Sequence, residues 1–518
     1  MAFAILNDDT AMSRLPLAII TTFSLFSLSF VLKAAVSVPA ILGSHMVLQR
    51  DQPIHFWGWA DPEETISAEF NTLTQSTVAN KAGRWDIFLP PQSAGGPYTL
   101  TLKAANTVQL EDILIGDVWF ASGQSNMEMP LKGFPGAVIA NSAEEISRAA
   151  QPQIRLLLIH TKVSDFPLSD YESASWTSCT PETAAKFSAV AYFFGKQLTD
   201  HEHVPIGLID STWGGTPAEA WVSMEGLGND SSLMPVFAEW SSFSNQQGDL
   251  QRTVEAEKRE DEAAKKANRP PPTHPWHPNP SSWRPSALFN AMVAPALDFR
   301  IKGVIWYQGE SNASPTRANL YEKLFPALIA DWRMHWHEGN FPFLFVQIAN
   351  FKSSPEGTWP VVREAQRRTL AVANTAMAVT IDIGDPTNVH PSDKQDVGVR
   401  LALAARKLAY GENIEYSGPV YREMSGEGRA LRLWFDHVTG GLMVKGDTLQ
   451  GFEIAGDDRH FTNASARIEG STVVVSADTV ANPKFVRYGW ANSPTVNLAN
   501  GEGLPASPFT SEDRIPKP

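Results

Sequence analysis

Hydrophobic and polar positions change their period along the chain, and each change marks a different kind of element. From Val38 to about Leu114 apolar residues alternate with polar ones, as in Ile54–Trp59, Thr65–Phe70, Gly83–Leu89 and Tyr98–Leu102. Turn residues stand between these runs at Asp61-Pro62, Pro90-Pro91 and Gly95-Gly96-Pro97. Period-two alternation broken by Gly and Pro at short intervals predicts an all-β sandwich. Trp57, Trp59 and Trp85 fall within it, as expected core residues rather than sugar-binding ones.

Beyond Asp117 continuous apolar runs, Ile154–Ile159 and Val204–Ile209, alternate with helical spacing such as Ser188–Leu198. That alternation predicts βαβ units on a mostly parallel sheet, over 115–410. It continues through Ile301–Tyr307, a helix over Tyr321–Trp336, Phe343–Ile348, a helix near Val362–Ala373, Met377–Ile381 and a helix from about Ser392 to Tyr410. An insertion at about 235–282 interrupts it. There a charged helical stretch, Val254–Asn268, runs into Arg269-Pro270-Pro271-Pro272, which reads as a solvated helix and a stiff loop. From Gly411 strands return at Leu431–Phe435, Phe452–Ile454, Thr472–Val475 and Val486–Tyr488, predicting a second β domain over 411–518.

Composition narrows the function. A chain of 518 residues exceeds what one core organises, and a net charge of −14 without a segregated basic patch argues against nucleic acid. The one cysteine, Cys179, cannot form an internal disulfide and is expected as a buried, inert thiol. None of the 12 histidines forms a helical His-x-x-x-His pair with a nearby Glu, so no metal is expected; no cofactor is expected either. Residues 1–37 read as a signal peptide: Met12-Ser13-Arg14 precedes the apolar Leu15–Leu32, and Ala35-Val36-Ser37 offers small residues for cleavage. A secreted or periplasmic protein is therefore expected, with an uncleaved N-terminal anchor as the alternative.

Candidate chemistry lies just past the ends of four apolar runs. Val118–Ala121 ends in Ser122-Gly123-Gln124-Ser125-Asn126-Met127, which places Ser125 where a strand tip would present a nucleophile. Trp213-Gly214-Gly215-Thr216 follows Ile206–Ile209, and Trp306-Tyr307-Gln308-Gly309-Glu310-Ser311-Asn312 follows Gly303–Ile305. Asp385-Pro386-Thr387-Asn388-Val389-His390-Pro391 follows Met377–Ile381. In an open parallel sheet such loops converge at the strands' C-terminal edge. A serine hydroxyl needs a base, a group to orient that base, and donors for the developing oxyanion. His390, on a loop between strand and helix, has the imidazole pKa suited to take and return the proton.

These four segments, together with His45-Met46-Val47-Leu48-Gln49-Arg50, Asn497-Leu498 and Gly503-Leu504-Pro505, resemble the SGNH hydrolase superfamily. Within it they resemble the sialate O-acetylesterase family and its acetylxylan esterase relatives. The resemblance implies an α/β fold: a flavodoxin-like three-layer α/β/α sandwich with a parallel sheet, flanked by N- and C-terminal β-sandwich domains. It implies an acyl-enzyme on Ser125, with the Ser125 N–H, a glycine N–H from Gly214 or Gly215 and the Gln308 side chain forming the oxyanion hole. Asn312 is the alternative to Gln308. Gln124 and Asn126 are expected to bond Glu310 or substrate. Superfamily members usually carry Asp three residues before the histidine, where this chain has Thr387. Asp385 is then the expected acid, with Asp382, Glu310 or a backbone carbonyl as alternatives. The implied partner is an acetylated carbohydrate, on sialic acid or a polysaccharide such as xylan. A noncatalytic glycan-binding protein on a decayed esterase fold is the rival expectation, favoured by Thr387.

Overall fold

One strand of 17 residues, β1 (Thr107–Gly123), carries the chain from the N-terminal β region into the central sheet. The structure, a computed structural model, describes residues 35–517, so the expected leader falls almost wholly outside the described residues. The first half of β1 alternates in burial and pairs with Gly95–Lys103, while Val47–Gln49 runs parallel to Leu114–Gly116. Its second half is buried on both faces and lies between two parallel neighbours. The expected domain boundary near residue 114 thus falls inside a continuous strand. The N-terminal β region also shares one apolar core with the central sheet, with Trp57 and Trp85 buried in it.

The other strands of the central sheet are β2 (Gln151–Leu158), β3 (Trp176–Cys179), β4 (Ile206–Thr212), β5 (Gly303–Tyr307), β6 (Phe343–Val346) and β7 (Thr375–Ala378). Their spatial order is β7-β6-β5-β1-β4-β2-β3, parallel throughout except for the antiparallel edge strand β3. The chain builds one side of β1 first and the other side afterwards, so the order reverses at β1. Crevices open at such switch points beyond the strands' C-terminal ends.

The helices that concern the site are α1 (Ser125–Glu128), α2 (Ala189–Glu202), α3 (Pro235–Asn245), α4 (Gln247–Lys266), α5 (Tyr321–Trp336), α6 (Thr358–Thr369) and α7 (Gln395–Leu408). Adjacent strand residues point to opposite faces. Trp119 meets Phe194 of α2, whereas Phe120 meets Trp332 and Trp336 of α5, so α2 and α5 cover opposite faces. The result is the expected α/β/α layering. Helices α3 and α4 form the insertion, and α4 begins seven residues before the charged stretch that predicted it. After α7 the chain builds strands with a second apolar core, in which Leu431, Leu433 and Val473 of one four-stranded sheet meet Phe452, Ile454 and Val486 of another. Cys179 is buried, and burial pushes its thiol up to about 12.

Candidate active site

Register brings the first three loops to one level. In the parallel ladder Gly123 lies opposite Thr212 on one side and opposite Tyr307 on the other. The loops beginning at Gln124, Trp213 and Gln308 therefore leave the sheet side by side. Gly123 has φ +133°, and a Cβ there would collide with the Tyr307 backbone, so only glycine lets the chain turn off the strand this close to its neighbour. Ser125 follows as the first residue of α1, a position whose N–H has no intrahelical partner.

The fourth loop brings His390 across 265 residues of sequence, and its Nε2 stands 2.9 Å from Ser125 Oγ. The loop is held by Asn126, whose Nδ2 donates to the Val389 carbonyl at 3.0 Å, and the His390 ring meets the edge of Phe134. Burial, together with the nearby Lys394 ammonium, lowers the His390 pKa to about 4. Both effects disfavour the imidazolium, so the ring is neutral at pH 7 and able to accept the Ser125 proton.

Among the described residues, no carboxylate pairs with the His390 ring. Asp385, the expected acid, is partly exposed, and its Oδ1 accepts from Thr387 N and Thr387 Oγ1 at 2.7 and 2.8 Å. It closes its own turn, as Asp commonly does before a backbone N–H two residues on. Asp382 is bound by Arg400 at 2.7 and 2.9 Å. Glu310 accepts from Asn126 Nδ2 at 2.6 Å, with its carboxyl buried. Lys394, also buried, donates to Asn126 Oδ1 at 2.7 Å, and its pKa is lowered by burial to about 7. Asn126 thus joins a buried carboxyl, a buried amine and the histidine loop.

Gln308 does not present a free donor. It is fully buried, and its Nε2 donates to Thr216 O at 3.2 Å and to Asn312 Oδ1 at 2.7 Å, while Tyr321 donates to its Oε1 at 3.0 Å. Asn312 is spent likewise, accepting from Ala218 N and donating to Glu219 at 2.9 Å. These amides brace the loop ends from below. Gln124 also braces, since its Oε1 accepts from Ser311 N at 3.1 Å, but its Nε2 has no protein partner among the described residues.

Gly214 lies beside the nucleophile, since a Cβ built on it would stand 3.2 Å from Ser125 Cβ. Its N–H donates to Glu128, a carboxyl one turn along α1 that desolvation pushes above the usual carboxylate range. Glu128 had a sequence signal, being three residues after Ser125 and hence on the same helical face. Gly215, at φ +71°, keeps an N–H without a partner among the described residues. A Cβ there would run into the indole of Trp276, which the insertion brings over this loop. Trp283 donates from Nε1 to Gly215 O at 2.7 Å. Nothing local in the Pro-rich text around Trp276 signalled that approach. Among the described residues no cluster of His, Cys, Asp or Glu is suited to a metal ion.

A parallel α/β/α core with a serine hydroxyl bonded to a half-buried neutral imidazole at its switch point defines a carboxylic ester hydrolase. Comparison with known proteins gives the family. Residues 275–407 match the family described as "Carbohydrate esterase, sialic acid-specific acetylesterase". The chain is 32% identical to the sialate O-acetylesterase of Mus musculus, over 91% of this chain and 93% of that protein. It is 33% identical to the one from Homo sapiens, over 73% and 72%. The crystal structure of a carbohydrate acetylesterase from Xanthomonas citri superposes with a TM-score of 0.81 at 38% identity, covering 92% of this chain and all of that one. The chain belongs to the sialate O-acetylesterase family.

Proposed function

We propose that the protein removes O-acetyl groups from carbohydrates, with Ser125 as nucleophile and His390 as its base. The observation that carries this reading is the 2.9 Å contact between Ser125 Oγ and His390 Nε2 at the tip of the central strand. Ser125 Oγ attacks the ester carbonyl while its proton passes to Nε2, and the carbonyl π pair moves onto oxygen. The Ser125 and Gly215 N–H groups receive that oxyanion. Collapse expels the sugar alcohol, which takes the proton from His390, and leaves acetyl on Ser125. Water, deprotonated by the same ring, then releases acetate.

Burial and the Lys394 ammonium keep the resting ring neutral, and no carboxylate faces it among the described residues. Orientation comes instead from Asn126 gripping the Val389 carbonyl next to His390. Names of the relatives support sialic acid or another acetylated sugar as the carrier of the ester. The leader-like residues before Val38 support export to the periplasm or outside the cell.

Acetate release from O-acetylated sialic acid and from acetylated xylan tests the reading. Release from either, lost in Ser125→Ala, is expected, and the better substrate identifies the sugar. Equal rates for both proteins would remove Ser125 from the mechanism.

A further inference from the structure

Resting on the esterase reading above, we infer that Trp276 is a sugar-binding residue: its indole forms the platform on which the pyranose ring of the acetylated sugar stacks. Trp276 is 65% exposed, an unusual state for the residue with the most apolar surface to hide. It is nonetheless held in place. His274, two residues before it, pairs with Asp261 at 3.0 Å, and His277, immediately after it, pairs with Glu257 at 2.9 Å. Both carboxylates belong to α4, so the segment is pinned to that helix on either side of the tryptophan. Beneath the ring is Gly215, and Gly214 next to it adjoins Ser125.

An exposed indole one residue from the nucleophile's neighbour has no part in the acyl transfer. Its chemistry suits the apolar C–H face of a pyranose, whose hydroxyls then point sideways to water and to the protein. Behind it Trp283 is fixed to the Gly215 carbonyl and lies under the Arg317 guanidinium at 4.3 Å, so the platform has a rigid support. An acyclic acetyl ester has no such face and gains nothing from the platform. The insertion, by this inference, confers sugar preference without altering the reacting groups.

The test compares acetylated xylan and O-acetylated sialic acid with ethyl acetate, using wild type, Trp276→Ala and Trp276→Phe. For the better sugar substrate, Ala is expected to raise KM about tenfold and Phe less than threefold, while kcat/KM for ethyl acetate stays within twofold. Equal losses on sugar and ethyl acetate would make Trp276 a mere support for Gly215 and overturn the inference. So would an unchanged KM for the sugar in Trp276→Ala, with the esterase reading left standing. A wild type that cleaves ethyl acetate but neither sugar ester would also overturn it. If wild type cleaves no ester at all, both the inference and the esterase reading fall together.

Discussion

Ser125 with His390 and Gln308 with Asn312 stand at the same edge of the same sheet, yet they are opposite in what they have left to give. The Gln308 and Asn312 side chains are buried and bonded to Thr216, Tyr321, Ala218, Glu219 and each other. Ser125 is partly exposed, and its hydroxyl meets only the His390 ring among the described residues. A polar side chain in a motif is chemically available when its bonding capacity is unspent. When the capacity is spent, the residue supports its neighbours, and its loss is felt as instability.

Substitutions should separate the two pairs. The largest effect is expected from His390→Ala, with kcat/KM for acetate release falling by about a thousandfold or more while the thermal midpoint changes little. Retention of a tenth of the activity would place the base elsewhere. Next, Gln308→Leu removes the donor to the Thr216 carbonyl and to Asn312 Oδ1, and one of the two acceptors of the Tyr321 hydroxyl. A stability loss of about 1–3 kcal/mol is expected in denaturant titration, with kcat of the folded fraction largely kept. A hundredfold loss of kcat at unchanged stability would instead make Gln308 an oxyanion donor and collapse the distinction.

A smaller effect concerns pH. With His390 lowered to about 4, the acid limb of kcat/KM should fall near pH 4, because protonation of the ring removes the base. Lys394, with a pKa of about 7, is charged over that range and opposes protonation. Lys394→Met should therefore move the limb upward, toward the ordinary histidine value. A wild-type limb already near 6.5 would contradict the role of burial.

Much of this was legible from local text because it depends on local physics. Strand-end glycine before Ser125, helical spacing over Tyr321–Trp336 and the loop position of His390 each follow from a few neighbouring residues. Other features depend on what packs above or below. Strand β1 changes from alternating to continuous apolar text because its neighbours change, and that change imitates a domain boundary. Whether Gln308 faces a substrate or Thr216 is decided by a segment over 90 residues away. Asp385 is the instructive miss, since Asp-Pro-Thr is also the text of a self-closing turn, and the turn is what forms. Trp276 was hidden because proline-rich sequence specifies stiffness but not destination.

The most direct measurement is kcat/KM for acetate release by wild type, Ser125→Ala and Asp385→Asn under one condition. Loss of about a thousandfold or more is expected for Ser125→Ala, and a change within about threefold for Asp385→Asn, whose carboxylate is bonded within its own turn. If Asp385→Asn fell as far as Ser125→Ala, a carboxylate would be orienting His390 after all, and the serine–histidine pair would not be the complete reacting unit.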